Sequence, residues 1–97
     1  MVRMESEEGK LVCTFEGRLD TAKCQAMEAG VLARVQAAQS PVVFDMQGVD
    51  YVASAFLRLC LMVSKQVGPE RFSMVNVQPF VKKVLMIANL SGFLKVA

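Results

Sequence analysis

Polar and apolar residues alternate from Lys10 to Glu16: Leu11, Cys13 and Phe15 point one way, and Val12, Thr14 and Glu16 the other. A period of two marks a strand with one face on a core. Val2 and Met4 alternate around Arg3 in the same manner, and Ser6-Glu7-Glu8-Gly9 reads as the turn of a hairpin between the two strands. The period then lengthens. Gly17-Arg18-Leu19-Asp20-Thr21 breaks the alternation, and Asp20 or Thr21 is placed to cap a helix by accepting from a free backbone N–H. From Ala22 to about Ala38, residues Cys24, Met27, Val31 and Val35 recur at spacings of three and four, with Leu32 beside them. Gly30 interrupts this stripe, at about 1 kcal/mol relative to alanine. Ser40-Pro41 ends it, because proline disfavours helical geometry in the residue before it.

Val42 to Met46 is a largely apolar, β-branched run that predicts a central strand covered on both faces. Gln47 to Ala53 reads as a turn leading to Ser54. A second helix is predicted over Ser54 to Val67. Leu57, Cys60, Leu61 and Ser64 form its expected buried face, with Phe56, Leu59 and Val63 on another. Gly68-Pro69 closes it. Arg71 to Val77 is a further strand. Gln78-Pro79 opens a third helix, with proline suited to the first helical position and Val81, Val84, Leu85 and Ala88 as its buried stripe. Asn89-Leu90-Ser91-Gly92 is its expected stop, and Phe93 to Val96 the last strand. The order β-β-α-β-α-β-α-β predicts one α/β domain over residues 1–97. Its mostly parallel sheet has about four to five strands, with an N-terminal antiparallel hairpin and helices packed on it.

Composition narrows function more than fold. The chain is 54% hydrophobic and 21% charged, which excludes a disordered chain and leaves room for a sticky surface. A net charge of +2 is too weak to argue for nucleic acid. The longest apolar run, Ala55 to Val63 if Arg58 is allowed, is far shorter than the ~18 residues that span a bilayer, so no membrane insertion is expected. The first residues lack the apolar core of a signal peptide, which places the domain in the cytoplasm by default. There are three cysteines and no histidine. No metal site, cofactor cradle or catalytic triad follows from them, and the cysteines are expected as small buried hydrophobes. No glycine-rich phosphate loop is present. Asp45 and Asp50 are expected to cap the turn that they flank. No catalytic residue is predicted, and an enzyme is not expected.

Two features remain. Ser54 is expected as the N-cap of the second helix, where a phosphate would meet free N–H groups and the positive end of the helix dipole. The helix also carries more apolar residues than one stripe needs. Phe56, Leu59, Met62 and Val63 are either covered by neighbouring helices or form a binding surface, and Phe56 in particular is expected to be exposed as a partner contact.

Four segments, in order, resemble STAS domains, the anti-sigma factor antagonists (anti-anti-sigma factors). Gly17-Arg18-Leu19-Asp20 is similar to the Gly-Glu-Leu-Asp element after the family's second strand. Val43 to Val52 resembles its strand and loop, Ala53-Ser54-Ala55-Phe56-Leu57 falls at Asp-Ser-Ser/Thr-Gly-Leu, and Asn89-Leu90-Ser91-Gly92-Phe93 resembles the closing element. The resemblance implies a regulatory module that binds an anti-sigma factor, itself a serine kinase of the histidine-kinase-like ATPase type. It implies phosphorylation at Ser54, which blocks binding, and a partner surface formed by Asp20, Asp45, Ser54, Ala55, Phe56, Arg58 and Leu59. Two positions depart from the pattern: Ala53 replaces the acid, and Phe56 replaces the glycine and is expected to crowd a kinase's approach. The alternative is a non-signalling STAS subunit of a transporter complex or scaffold, with Ser54 only a cap. A homodimer is left open.

Overall fold

A two-residue turn starts the fold. Glu8 and Gly9 both take positive φ, 50° and 78°, as a hairpin turn matched to strand twist requires. They join β1 (Val2–Glu7) to β2 (Lys10–Leu19), with Glu7 paired to Lys10. The computed structural model describes residues 2–87 and 95–96. Along it follow α1 (Thr21–Ala38), β3 (Val42–Val52), α2 (Ser54–Val67), a 3-10 turn (Pro69–Arg71), β4 (Phe72–Val75), α3 (Pro79–Ile87) and β5 (Lys95–Val96). The expected helix stop at Asn89 to Gly92, the stripe residue Ala88 and the start of the last strand at Phe93 lie outside the described residues.

The five strands stand in the order β1-β2-β3-β4-β5, antiparallel between β1 and β2 and parallel thereafter. Each crossover from β2 onward steps one place in the same direction. Right-handed connections then put α1, α2 and α3 on one face of the sheet. Burial agrees with that placement. Leu11, Cys13, Phe15, Val42, Phe44, Met46, Phe72 and Met74 are fully buried, whereas Val12, Thr14, Val43, Asp45, Ser73 and Val75, alternating with them, are half-buried. The expectation that β3 is covered on both faces is therefore corrected. It is a central strand with one face that no described helix covers, because no crossover between the described strands reverses direction.

β3 also runs through the segment expected as a turn. Its pairing with β2 shifts twice: Thr14 pairs with Asp45 and Glu16 with Gly48, then Gly17 with Val49 and Arg18 with Tyr51. Each shift places one extra residue on β3, a bulge. The two bulges break the alternation and then restore it, so Val49 and Val52 return to the core face. A Cβ at Gly48 would sit 3.3 Å from Glu16 Cγ and 3.5 Å from the Phe15 carbonyl, a close approach that glycine accommodates. β2 likewise continues past its expected end to the buried Leu19.

The core is organised by four phenylalanines. Phe44 lies at the centre, with ring centroids 4.7 Å from Phe15, 4.8 Å from Phe72 and 6.0 Å from Phe56. Most pairs meet edge to face, which the ring quadrupoles favour.

All three cysteines are buried free thiols, as expected. Burial pushes the Cys13 thiol up to about 12, against a weaker pull from Arg34. Burial likewise raises Cys60 and Cys24. A raised pKa means that stability is complete below the ordinary thiol value of 9.0 and is lost as pH rises toward about 12. Urea unfolding across that range should show falling stability, with a shallower fall in Cys13→Ala than in the unaltered chain. An equal slope in both proteins would contradict the buried thiol's role.

Candidate functional site

The parallel strands bring their C-terminal ends to one edge, where the loops entering α1, α2 and α3 lie side by side. In open α/β sheets this edge is where binding residues collect. Here β2 ends at Leu19, β3 at Val52 and β4 at Val75. One backbone bond ties the first two loops together: the Ala53 N–H donates to the Leu19 carbonyl at 2.9 Å.

Asp20 is the N-cap of α1. Its Oδ1 accepts from the Lys23 N–H at 2.9 Å, which leaves Thr21 as the first helical residue. The arrangement at α2 differs from expectation. Ala53 is the N-cap, in extended geometry with φ −89° and ψ 166°, and its carbonyl accepts from Phe56 N at 2.9 Å and Leu57 N at 3.4 Å. Ser54 is the first residue of the helix rather than its cap, because the chain leaves β3 one residue before it. Alanine offers no side-chain acceptor, and the first turn of α2 holds no acid. The first N–H groups of α2 therefore lack a side-chain cap, and the helix's positive end is uncompensated. Ser54 is exposed, and its hydroxyl has no hydrogen-bond partner among the described residues.

The face that α2 turns to the core differs too. Phe56, Leu59, Cys60 and Val63 are fully buried and Ser64 nearly so, while Leu57 and Leu61 are half-buried against the core's margin. The expected exposure of Phe56, and with it direct partner contact by Phe56 and Leu59, is corrected. Phe56 points inward, with its ring 5.3 Å from that of Phe15. Both stripes of α2 are apolar, so periodicity alone could not rank them. The start of the helix decides it: with Ser54 outward, the residues at two, five, six and nine places on face the sheet. Inward packing also removes the expected crowding of the serine by Phe56.

The remaining predicted residues separate into two groups. Ala55 is half-buried beside Ser54, and Arg58 is exposed one turn along, its guanidinium 3.6 Å from Glu28 of α1. With Asp20 and Ser54 these share the helix-start edge. Asp45 does not. It lies midway along β3 on the bare face, where Oδ1 accepts from Gln47 N at 3.1 Å and from Asn76 Nδ2 at 3.2 Å. It ties a β3 bulge to the loop entering α3, whose Asn76 takes a left-handed φ of 56°. Gln78 Nε2 reinforces that tie, donating to the Gln47 carbonyl at 2.7 Å. The bare face also holds a contact that sequence reasoning missed, the Arg18 guanidinium 3.8 Å over the Tyr51 ring. Its signal was hidden by the bulges that place the two residues opposite each other. A groove of about 530 Å³ on this face is lined by Arg3, Glu5, Glu16 and Asp45 among others, and is separate from Ser54. No group of three acidic or cysteine side chains among the described residues could hold a metal, and no described helix is long and apolar enough to cross a membrane.

Comparison with known proteins adds to this geometry. A family model described as "Mlab, STAS domain" matches residues 2–96. BtrV of Bordetella bronchiseptica, whose name proposes an anti-sigma factor antagonist, is 33% identical over 95 residues, covering 96% of this chain and 79% of BtrV. An anti-sigma factor antagonist from Mycobacterium paratuberculosis superposes with a TM-score of 0.87 at 22% identity, covering 99% of this chain and 83% of that one. The anti-sigma factor antagonist SpoIIAA superposes in its unphosphorylated form with a TM-score of 0.83 at 17% identity, covering 100% and 88% of the two chains. Its phosphorylated form, from Bacillus, gives 0.74 at 16%, covering 100% and 91%. At these identities the solved structures bear on the fold.

Two substitutions test the local account by chemical denaturation. Phe56→Ala should lose about 3–5 kcal/mol, as a fully buried aromatic does, and a change below about 1 kcal/mol would contradict inward packing. Ala53→Ser supplies the missing acceptor and should add up to about 1 kcal/mol.

Proposed function

We propose that this chain, which belongs to the STAS domain family, works as an anti-sigma factor antagonist that docks its partner at the edge formed by Asp20, Ser54, Ala55 and Arg58. In this reading the partner is an anti-sigma factor of the histidine-kinase-like serine kinase class, and phosphorylation of Ser54 ends the contact. The named relative supports the first part. The observation that carries the second is the position of Ser54 itself, solvent-exposed at the start of α2 with an unengaged hydroxyl. A kinase can reach that oxygen without unfolding anything, since its neighbour Phe56 is turned into the core.

The consequence of modification follows from charge. The edge around Ser54 holds a neutral hydroxyl, the Asp20 carboxylate that caps α1 and the Arg58 guanidinium. A phosphate would add nearly two negative charges at a helix start, where the N–H groups and dipole hold it. The helix survives, and the docking surface changes sign. A partner matched to the unmodified surface would then meet repulsion and buried, unpaired charge. Because the partner consumes ATP, the reading also places the domain in the cytoplasm. It works as a binding module, without chemistry of its own.

Ala53 favours a second reading. With alanine before the serine, the site lacks a carboxylate there, and the domain could serve as a non-signalling subunit of a transporter or scaffold with Ser54 unmodified.

Incubation of the purified chain with its cognate kinase and ATP, followed by intact-mass measurement, separates the readings. One phosphate should be added, and Ser54→Ala should take none. Ser54→Asp should weaken capture of the partner by about tenfold or more. No phosphate on the chain, together with unimpaired capture by Ser54→Asp, would leave the non-signalling reading in place.

A further inference from the structure

The large hydrophobic side chains that stay exposed among the described residues all belong to α3. Phe80 is 57% exposed, Met86 61% and Ile87 75%. They are not residues that the core left over at random. The inward side of this helix is met by Val81 and Leu85, both fully buried, with Val84 half-buried at its margin. The outward side therefore centres on Lys83. Phe80 and Ile87, seven residues apart, run along one flank of it, and Lys82 and Met86, four apart, along the other. α3 thus presents a second apolar surface with two cations set into it. The helix contains no acidic residue, and neither lysine forms an ion pair among the described residues.

We infer that this outer face of α3 is a docking surface for an acidic amphipathic helix of a partner protein, with the partner's apolar stripe on Phe80, Met86 and Ile87 and its carboxylates on Lys82 and Lys83. Charge selects this occupant over two others. A second copy laid α3 against α3 would bring four lysines together with no carboxylate on either helix, and like charges in a contact are repulsive. An anionic bilayer is held by clusters of roughly four to eight basic residues, and this helix supplies two. Carboxylates at the spacing of one helical turn satisfy both lysines, while side chains at three and four places fill the apolar flanks. The surface belongs to α3 and Ser54 to α2, so the inference draws on different residues from those of the proposed function.

A direct test uses the full-length, isotope-labelled chain and two synthetic peptides. One is an amphipathic helix with leucine on one face and glutamate beside it; the other carries lysine at the glutamate positions. Titration by nuclear magnetic resonance should shift the amide signals of residues 80–87 with the glutamate peptide and not with the lysine peptide, and the affinity should fall as salt is raised. Lys82→Glu combined with Lys83→Glu should weaken binding several-fold, and Phe80→Ser should do the same. All three substitutions are at exposed positions and should leave the unfolding midpoint close to that of the unaltered chain. Equal response to both peptides, shifts away from α3, or indifference to charge reversal would overturn the inference. So would concentration-dependent self-association abolished by Phe80→Ser, or binding to phosphatidylserine vesicles in preference to the glutamate peptide.

Discussion

Everything at the serine edge depends on one pairing, that of β2 with β3. The two strands stay in parallel contact through two bulges until Leu19 meets Val52, and the Ala53 N–H then closes on the Leu19 carbonyl. That bond fixes where β3 lets go of the sheet. It therefore fixes the first residue of α2, and with it the rotation of the whole helix. One residue earlier or later would turn each side chain of α2 by about 100°. Phe56 would leave the core and Ser54 would leave the solvent. The position of an exposed hydroxyl is set by strand register rather than by anything the serine itself does.

Much of this fold was legible because its local signals agree. The β1–β2 hairpin follows from alternation on either side of Glu8-Gly9, and α1 follows from the spacing of Cys24, Val31 and Val35 with Asp20 ahead of them. What failed were inferences that need two segments at once. Bulges are a property of paired strands, so β3 looked finished at Met46 when its partner was carrying it on to Val52. The uncovered sheet face is likewise a property of topology. Val43 and Asp45 look like part of a covered strand until the strand order shows that no described helix reaches their side. The arrangement of the candidate edge was partly visible where local patterns set it. Asp20, Ser54 and Arg58 sit at element ends or on exposed turns, where local patterns speak. Phe56 and Leu59 belong to a helix whose two faces are both apolar, and only packing can choose between them.

The two departures from the family pattern have opposite physical effects. Phe56 brings an aromatic ring into a space bordered by Phe15 and Phe44, and so adds buried area and edge contacts directly beneath the serine. It strengthens the seat of α2. Ala53 removes a side-chain acceptor from the same helix's start and so weakens it, by about 1 kcal/mol in the usual case. The helix is anchored from below rather than capped from its end. That combination leaves the first N–H groups of α2 without competition from a neighbouring carboxylate.

An uncapped start changes what a charge at Ser54 would do. Where an acid already occupies the cap, a phosphate meets a negative neighbour and shares its hydrogen-bond donors. Here the donors are unshared and the nearest charged side chain along the helix is Arg58, four residues on, the spacing at which an anion and a cation attract across one turn. Arg58 now leans on Glu28 through an exposed contact at 3.6 Å, a weak tie that a nearer dianion could displace. Modification at this edge would therefore stabilise the helix it sits on while inverting the surface that the helix presents. A switch of that kind would act through recognition rather than refolding, since the aromatic rings under α2 anchor the helix away from its start.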